Sequence, residues 1–450
     1  MRKISKISLV AAVAVAGFST ANAQPLEEAI KNVDVSGSVV YRYDNFHNKE
    51  KSSNGVVTSD RENTDANRYK IGLNLSSKVN DYVKFNSRFI VGSKDNGGFA
   101  SLNAGKENTW RNGFQDNTAG ADGQADVSLS NAYFGFTAIP NTVVNIGKQG
   151  LTTPYTVAVD INGNEQTGTG ILALSTFGPV TAGLGYFNNT NLNASSEINL
   201  TQGLGLDTFP NGANGVINGG QDVYVATVQG DLDFVKLEAW YLGHQENFNT
   251  YTLAATSNID LAENAKIGLE ARYVNLSLTN DGRNALANTL TGGILTGADF
   301  EKKNEMFRFA VDGKFSIVNA RLAYTKTGKD GGLTALDQDA KNTSLGWAIT
   351  SNGVANADYI QAALGADILD NLNFTLHYGQ LKSKEDANAT QIRILTDDIK
   401  AKEVYGQLTY KMSKNLSTYL RYGTYDEKIN STGEKVQDQT RGRIQVAYTF

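Results

Sequence analysis

Apolar and polar residues alternate with a period of two along segment after segment of this chain. In the last strand-like stretch Ile444, Val446, Tyr448 and Phe450 share one face, while Arg443, Gln445, Ala447 and Thr449 share the other. Successive side chains of a strand point to opposite faces, so this pattern predicts a half-buried strand. Tyr69, Ile71, Leu73 and Leu75 likewise oppose Arg68, Lys70, Asn74 and Ser76, and Ile267, Leu269, Ala271 and Tyr273 oppose Lys266, Glu270 and Arg272. Eighteen such segments are predicted, from 33–44 at the start to 440–450 at the carboxyl end. Each lies near the ~10 residues that a tilted strand needs to cross a bilayer.

The joins between segments alternate in length. Ile139-Pro140-Asn141, Phe177-Gly178-Pro179 and Asp370-Asn371 are turn-forming links. Between such links lie long polar stretches at 45–67, 93–126, 150–168, 188–221, 277–303, 327–356, 382–399 and 427–439. Short turns at one end, long loops at the other and an even strand number predict an all-β chain folded as a transmembrane antiparallel β-barrel. A solenoid would need one fixed repeat, which is absent. The 20 Tyr and 19 Phe gather near strand ends, as interfacial girdles would.

The amino terminus has a different pattern. Arg2, Lys3 and Lys6 precede an apolar run from Ile7 to Phe18, and Ala21-Asn22-Ala23 offers a small-x-small cleavage site. Residues 1–23 are therefore expected to be a signal peptide, leaving 24–450 as a single barrel domain outside the cytoplasm. Loss of those three cations moves the formal net charge from −5 to −8. An acidic chain lacks the clustered cations that nucleic acid requires, so nucleic acid is excluded as a partner. The absence of cysteine excludes disulfide staples and thiolate metal sites.

The stretch Gln24-Pro25-Leu26-Glu27-Glu28-Ala29-Ile30-Lys31-Asn32-Val33-Asp34-Val35-Ser36-Gly37, followed by Tyr41-Arg42-Tyr43-Asp44, resembles the Campylobacter-type major outer membrane protein, a porin family. Gly147-Lys148-Gln149 and Gly168-Thr169-Gly170 are similar to that family's entry to and exit from a constriction loop. The resemblance implies a barrel of about 18 strands in the outer membrane of a Gram-negative bacterium. It also implies a homotrimer that carries ions and small hydrophilic solutes, and an inward-folded constriction loop at 150–168. Calcium near the constriction is a further implication. Asp160 falls where the family has an acidic loop residue, and Asn164 stands at the second such position with Glu165 beside it. Asp160 and Glu165 are thus the candidate calcium ligands and the acidic face of the loop; no other cofactor is expected.

A barrel of 16–18 strands leaves an aqueous channel, and charges at its narrowest point set selectivity. Arg42, Lys70, Lys84 and Arg88 have the inward parity of their strands and are candidate pore-wall cations. Lys148 is added to them at the strand end, although it shares the parity of Val144 and Ile146 and would then snorkel toward the interface. The acid excess favours cations, tempered by inward Arg272, Arg308, Arg321, Arg421 and Arg443. A substrate-specific channel would show stacked aromatics or paired arginines along the lumen, and Trp240 is the one hint of it. Catalysis is not expected: His47, His244 and His377 have no nucleophile or metal-ligand spacing around them. The alternative function is a surface adhesin whose long loops bind host-surface ligands.

Overall fold

The computed structural model describes residues 32–53, 56–58, 63–93, 97–102, 110–111, 114–115, 126–192, 219–291, 296–384 and 398–450. The expected signal peptide and most of the join 188–221 lie outside the described residues. Eighteen long strands form the wall: β1 Val33–Ser53, β2 Asn63–Asn80, β3 Val83–Gly92, β4 Asp126–Phe136, β5 Thr142–Gly150, β6 Thr167–Phe177, β7 Val180–Thr190, β8 Val223–Leu232 and β9 Val235–His244. They continue as β10 Phe248–Ala262, β11 Ala265–Leu278, β12 Lys303–Phe315, β13 Val318–Thr327, β14 Asp358–Leu369, β15 Leu372–Lys382, β16 Ile399–Lys411, β17 Leu416–Ile429 and β18 Lys435–Thr449.

Each strand pairs antiparallel with its neighbours in sequence, and β1 pairs with β18 from Ser38 opposite Thr449 to Lys51 opposite Gln437. At the foot of this seam Gly37 and Phe450 exchange both backbone hydrogen bonds, at 2.9 and 3.1 Å. The wall is thereby closed. Lipid offers no hydrogen bonds, so only a sheet without an edge can cross it.

Two-residue turns join β2 to β3, β6 to β7, β8 to β9, β10 to β11, β12 to β13 and β14 to β15, all at one end. Asp233 and Ser316 adopt φ of 58° and 55° in these turns. The opposite end holds the longer joins, apart from the three-residue link 245–247 between β9 and β10, and two of them depart from the expected pattern. β1 and β2 extend to Ser53 and from Asn63, and the join expected at 427–439 shrinks to 430–434. Above the lipid boundary both faces of a strand meet water, so alternation fades while backbone pairing continues.

The outer face is apolar: Leu184, Leu322 and Leu364 are 69%, 59% and 59% exposed, as residues that face lipid would be. Tyr82, Phe234, Phe315, Phe374 and Tyr410 crowd the turn end of that face. The lumen is not an open cylinder. Tyr155, Phe187, Leu242, Phe248, Leu276 and Met306 form an internal apolar cluster with Leu286, Leu333 and Leu336. Leu286 belongs to helix α1, Asn280–Thr291, whose first turn is capped by the Thr279 hydroxyl accepting the Gly282 N–H at 3.0 Å. Leu333 and Leu336 belong to the join 328–357, which folds into the lumen instead of standing above it. Burying apolar side chains of this size contributes about 1.5–3 kcal/mol each, which favours the inward course.

Candidate functional site

Two inward segments meet inside the barrel. The first, residues 151–166 between β5 and β6, is held across its neck by the Leu151 N–H on the Gln166 carbonyl at 2.9 Å and the Gln166 N–H on the Ala158 carbonyl at 3.0 Å. Glu165 ends it as the partner of two wall cations. Lys70 donates to Glu165 Oε1 at 2.5 Å, Arg88 reaches both carboxylate oxygens at 3.1 and 3.0 Å, and Ser130 Oγ adds a bond at 2.8 Å. Burial opposes the carboxylate's charge, but the Arg88 bonds and the Lys70 charge outweigh it and hold Glu165 below the usual range. Lys70 also donates to the Gly163 carbonyl, and Arg42 donates to the Ile161 carbonyl at 2.8 Å. Arg42 is in turn stacked on Phe99, 4.3 Å from its ring centre. Gly163 has φ of +80°, and a Cβ there would come within 2.9 Å of Phe99, so the tight bend requires glycine.

Asp160 sits at the bend itself, 5% exposed, and accepts the Asn162 N–H at 2.9 Å, the Asn164 N–H at 2.7 Å and the Asn164 side-chain amide at 2.6 Å. Asp160 and Glu165, the expected calcium ligands, therefore serve separate purposes: one caps its own turn and the other is clamped by cations. Among the described residues no group of three or more His, Asp or Glu side chains that could hold a metal ion converges, at this pair or elsewhere.

Three of the five expected wall cations, Arg42, Lys70 and Arg88, reach the first loop. Lys84 does not. It lies at the exposed turn end of β3, opposite Lys78, a full four residues from Arg88. Lys148 is also corrected. It stands opposite Ala132 on the side of Ile146 and Phe134, the outer face, and its ammonium donates to the Leu129 carbonyl at 2.8 Å. A strand-end lysine pointing outward finds a backbone oxygen near the interface more cheaply than it would cross the wall.

The second segment, 328–357, was not expected inside. It rests on the first through the Leu336 N–H on the Tyr155 carbonyl at 2.8 Å and the Asn342 N–H on the Pro154 carbonyl at 2.9 Å. Arg308 of β12 donates to the Thr343 carbonyl at 2.5 Å and the Lys341 carbonyl at 2.8 Å, while Glu270 of β11 accepts from both Arg308 and Arg272. Farther on, Glu403 of β16 accepts the Trp347 and Ala348 N–H groups at 3.1 and 2.7 Å, and Arg441 donates to the Trp347 carbonyl at 3.1 Å. The composition of 328–357, small residues with scattered apolar ones, carries no period that would have announced this course.

Where the two loops touch, Gln166 donates to Asp337, and Asp339 faces both Asp337 and Asp160. Burial pushes Asp160 up to about 6, with Asp339 adding to it against the bonds from Asn164 and Asn162. Burial, then Asp339, raises Asp337 to about 10. An acid whose pKa is raised by folding stabilises the fold below its unfolded value, near 4, and loses that contribution as pH rises through the folded value. For Asp160 that loss falls between about pH 4 and 6. The temperature at which the barrel loses its heat-modifiable migration on gels is expected to fall over that interval. Asp160→Asn should flatten that part of the fall; an unchanged slope would show that Asp160 does not govern it.

A closed eighteen-strand wall, narrowed by two loops that wall arginines hold, is the arrangement of a channel. The sequence comparison agrees: a family model described as the Campylobacter major outer membrane protein matches residues 1–450. The chain belongs to that family. No curated protein matches it in sequence. Among solved structures, this family member is similar to OccK8 (OprE) of Pseudomonas aeruginosa, with a TM-score of 0.65, 14% identity, and coverage of 93% of this chain and 98% of that one. OpdK of the same organism, solved with vanillate, gives the same TM-score, identity and coverage. OccAB1 of Acinetobacter baumannii gives 0.65 at 15% identity, covering 93% and 96%. At these identities the likeness concerns the fold: an outer-membrane β-barrel.

Proposed function

We propose that the protein is a passive diffusion channel, passing ions and small hydrophilic solutes down their gradients without enzymatic chemistry. The observation that carries this reading is the polar, charge-lined inner wall narrowed at one level by the loop 151–166. A barrel of this strand number leaves room for water beside such loops. OpdK, the similar barrel solved with vanillate, fits a solute-passing role. We further infer a homotrimer and a leader removed after Ala23. A modest cation preference follows from the acid excess of the whole chain, because the two carboxylates of the first loop are already clamped or capped.

Residues 24–450, refolded in detergent and inserted into a planar bilayer, are expected to give stable current steps in groups of three. Under a potassium chloride gradient the reversal potential should have the sign of a cation-preferring pore. A folded barrel that conducts nothing would refute the channel, and the opposite sign would refute the cation preference alone.

A further inference from the structure

Arg421 of β17 differs from most of the arginines that face this lumen. Arg443 pairs with Asp44, Arg88 with Glu165, and Arg272 and Arg308 share Glu270. Arg421 has no carboxylate partner among the described residues. Its Nε and one terminal nitrogen both donate to a single oxygen, Gln407 Oε1, at 2.9 and 2.6 Å, and the other terminal nitrogen has no acceptor among the described residues. The nearby acid, Glu403, is occupied by the Trp347 and Ala348 N–H groups.

Rings surround this guanidinium. Its central carbon lies 5.2 Å from the Trp347 ring, 5.1 Å from Tyr405 and 5.4 Å from Tyr419. His377 lies flat on Tyr405, with ring centres 4.5 Å apart and planes 13° from parallel. The Trp347 indole N–H is likewise buried with no hydrogen-bond partner. The cluster sits level with the first loop, because Arg443 lies opposite Arg421 across the β17–β18 pair and Arg42, which binds the loop, is bonded to Gln445 on β18.

A half-desolvated cation without a counter-charge is costly, and ring faces compensate it only in part. A planar fork with a free edge is the shape that receives a carboxylate, and an indole N–H beside it can serve a second acceptor oxygen. Tyr405 is covered by Arg421 and His377, and Trp347 by Arg421 and Arg441, but Tyr419 is half-buried with Arg421 over its ring and is the ring that offers stacking to a flat solute. We propose that Arg421, Trp347, Tyr405, Tyr419 and His377 form a binding subsite in the lumen for small aromatic monocarboxylates. The subsite rests on the diffusion-channel reading only for its place in a transport path; binding itself does not depend on it.

The test titrates the refolded barrel, residues 24–450, with benzoate, acetate, cyclohexanecarboxylate and benzylamine by calorimetry in detergent. Current interruptions by the same compounds are recorded in bilayers. Benzoate is expected to bind at least about tenfold more tightly than acetate, the difference of about 1.4 kcal/mol that one stacked ring supplies. Cyclohexanecarboxylate should fall between them, and benzylamine should not bind. Arg421→Lys, which keeps the charge and stem but loses the fork, should weaken benzoate about tenfold. Trp347→Phe, which keeps a ring but loses the donor, should weaken it less. Benzoate no tighter than acetate, or Arg421→Lys titrating as the parent protein in a barrel that still shows heat-modifiable migration, would overturn the subsite. A conducting barrel untouched by benzoate refutes the subsite alone; a barrel that binds benzoate but passes no ions refutes the channel and leaves the subsite standing.

Discussion

Glu165→Gln is expected to shift ion selectivity toward anions and to loosen the first loop. Glu165 is the shared counter-charge of Lys70 and Arg88, and all three side chains are largely shielded, at 5%, 6% and 15% exposure. Glutamine keeps the size and one acceptor but leaves the Lys70 ammonium and the Arg88 guanidinium facing each other without a counter-charge. Removing one member of a buried ion pair typically costs 3–5 kcal/mol, most of it the charge left behind. That cost falls on the docked loop, because Lys70 also holds the Gly163 carbonyl and Ser130 also holds Glu165. Single-channel records should show a noisier open state, and the reversal potential in a salt gradient should move in the anion direction. Unchanged selectivity and noise would mean that the pore axis does not pass this cluster.

Arg308→Ala should act on width more than on charge. The side chain is 10% exposed and supplies two bonds to the second loop, at the Thr343 and Lys341 carbonyls. Hydrogen bonds from a charged group contribute about 1.5–3 kcal/mol each, so the loop's hold on the β12 wall weakens by about 3–6 kcal/mol. Glu270 keeps Arg272 as its partner, so no carboxylate is orphaned. Conductance is expected to rise while selectivity changes little. Arg321→Ala supplies the contrast: its pairs with Asp312 and Glu270 involve a side chain 40% exposed, and exposed pairs contribute up to about 1 kcal/mol. Equal conductance in the two variants would show that Arg308 does not tether the second loop.

The candidate site was legible in part, for identifiable reasons. Arg42, Lys70 and Arg88 were found because lumen parity follows from a period of two, and the loop 150–168 was marked by its length and flanking glycines. Lys84 has the same parity as Arg88 yet lies too far down the strand, since parity fixes a face and not a height. Lys148 went astray because the loop's glycine-rich entry was weighted above the parity of Val144 and Ile146. That Asp160 caps its own turn while Glu165 takes Lys70 and Arg88 is geometry that the four intervening positions in the chain cannot show. Asp337, Asp339 and Trp347 carried no local signal, although Asp44 shared the inward parity of Arg42, and Glu403 that of Tyr405 and Gln407, and both could have been read.

Alternation along the chain determined the strands, their outward and inward faces, the short-turn and long-loop ends and hence the closed barrel. These depend on interactions between near neighbours and on the bilayer, both of which act uniformly along every strand. Tertiary structure alone decided that the segment 328–357 enters the lumen, that Glu165 is neutralised from β2 and β3, and that Arg421 is left without an acid. Those outcomes depend on which side chains meet across the barrel, often more than a hundred residues apart, where each charge settles with the partner that desolvation and packing leave within reach.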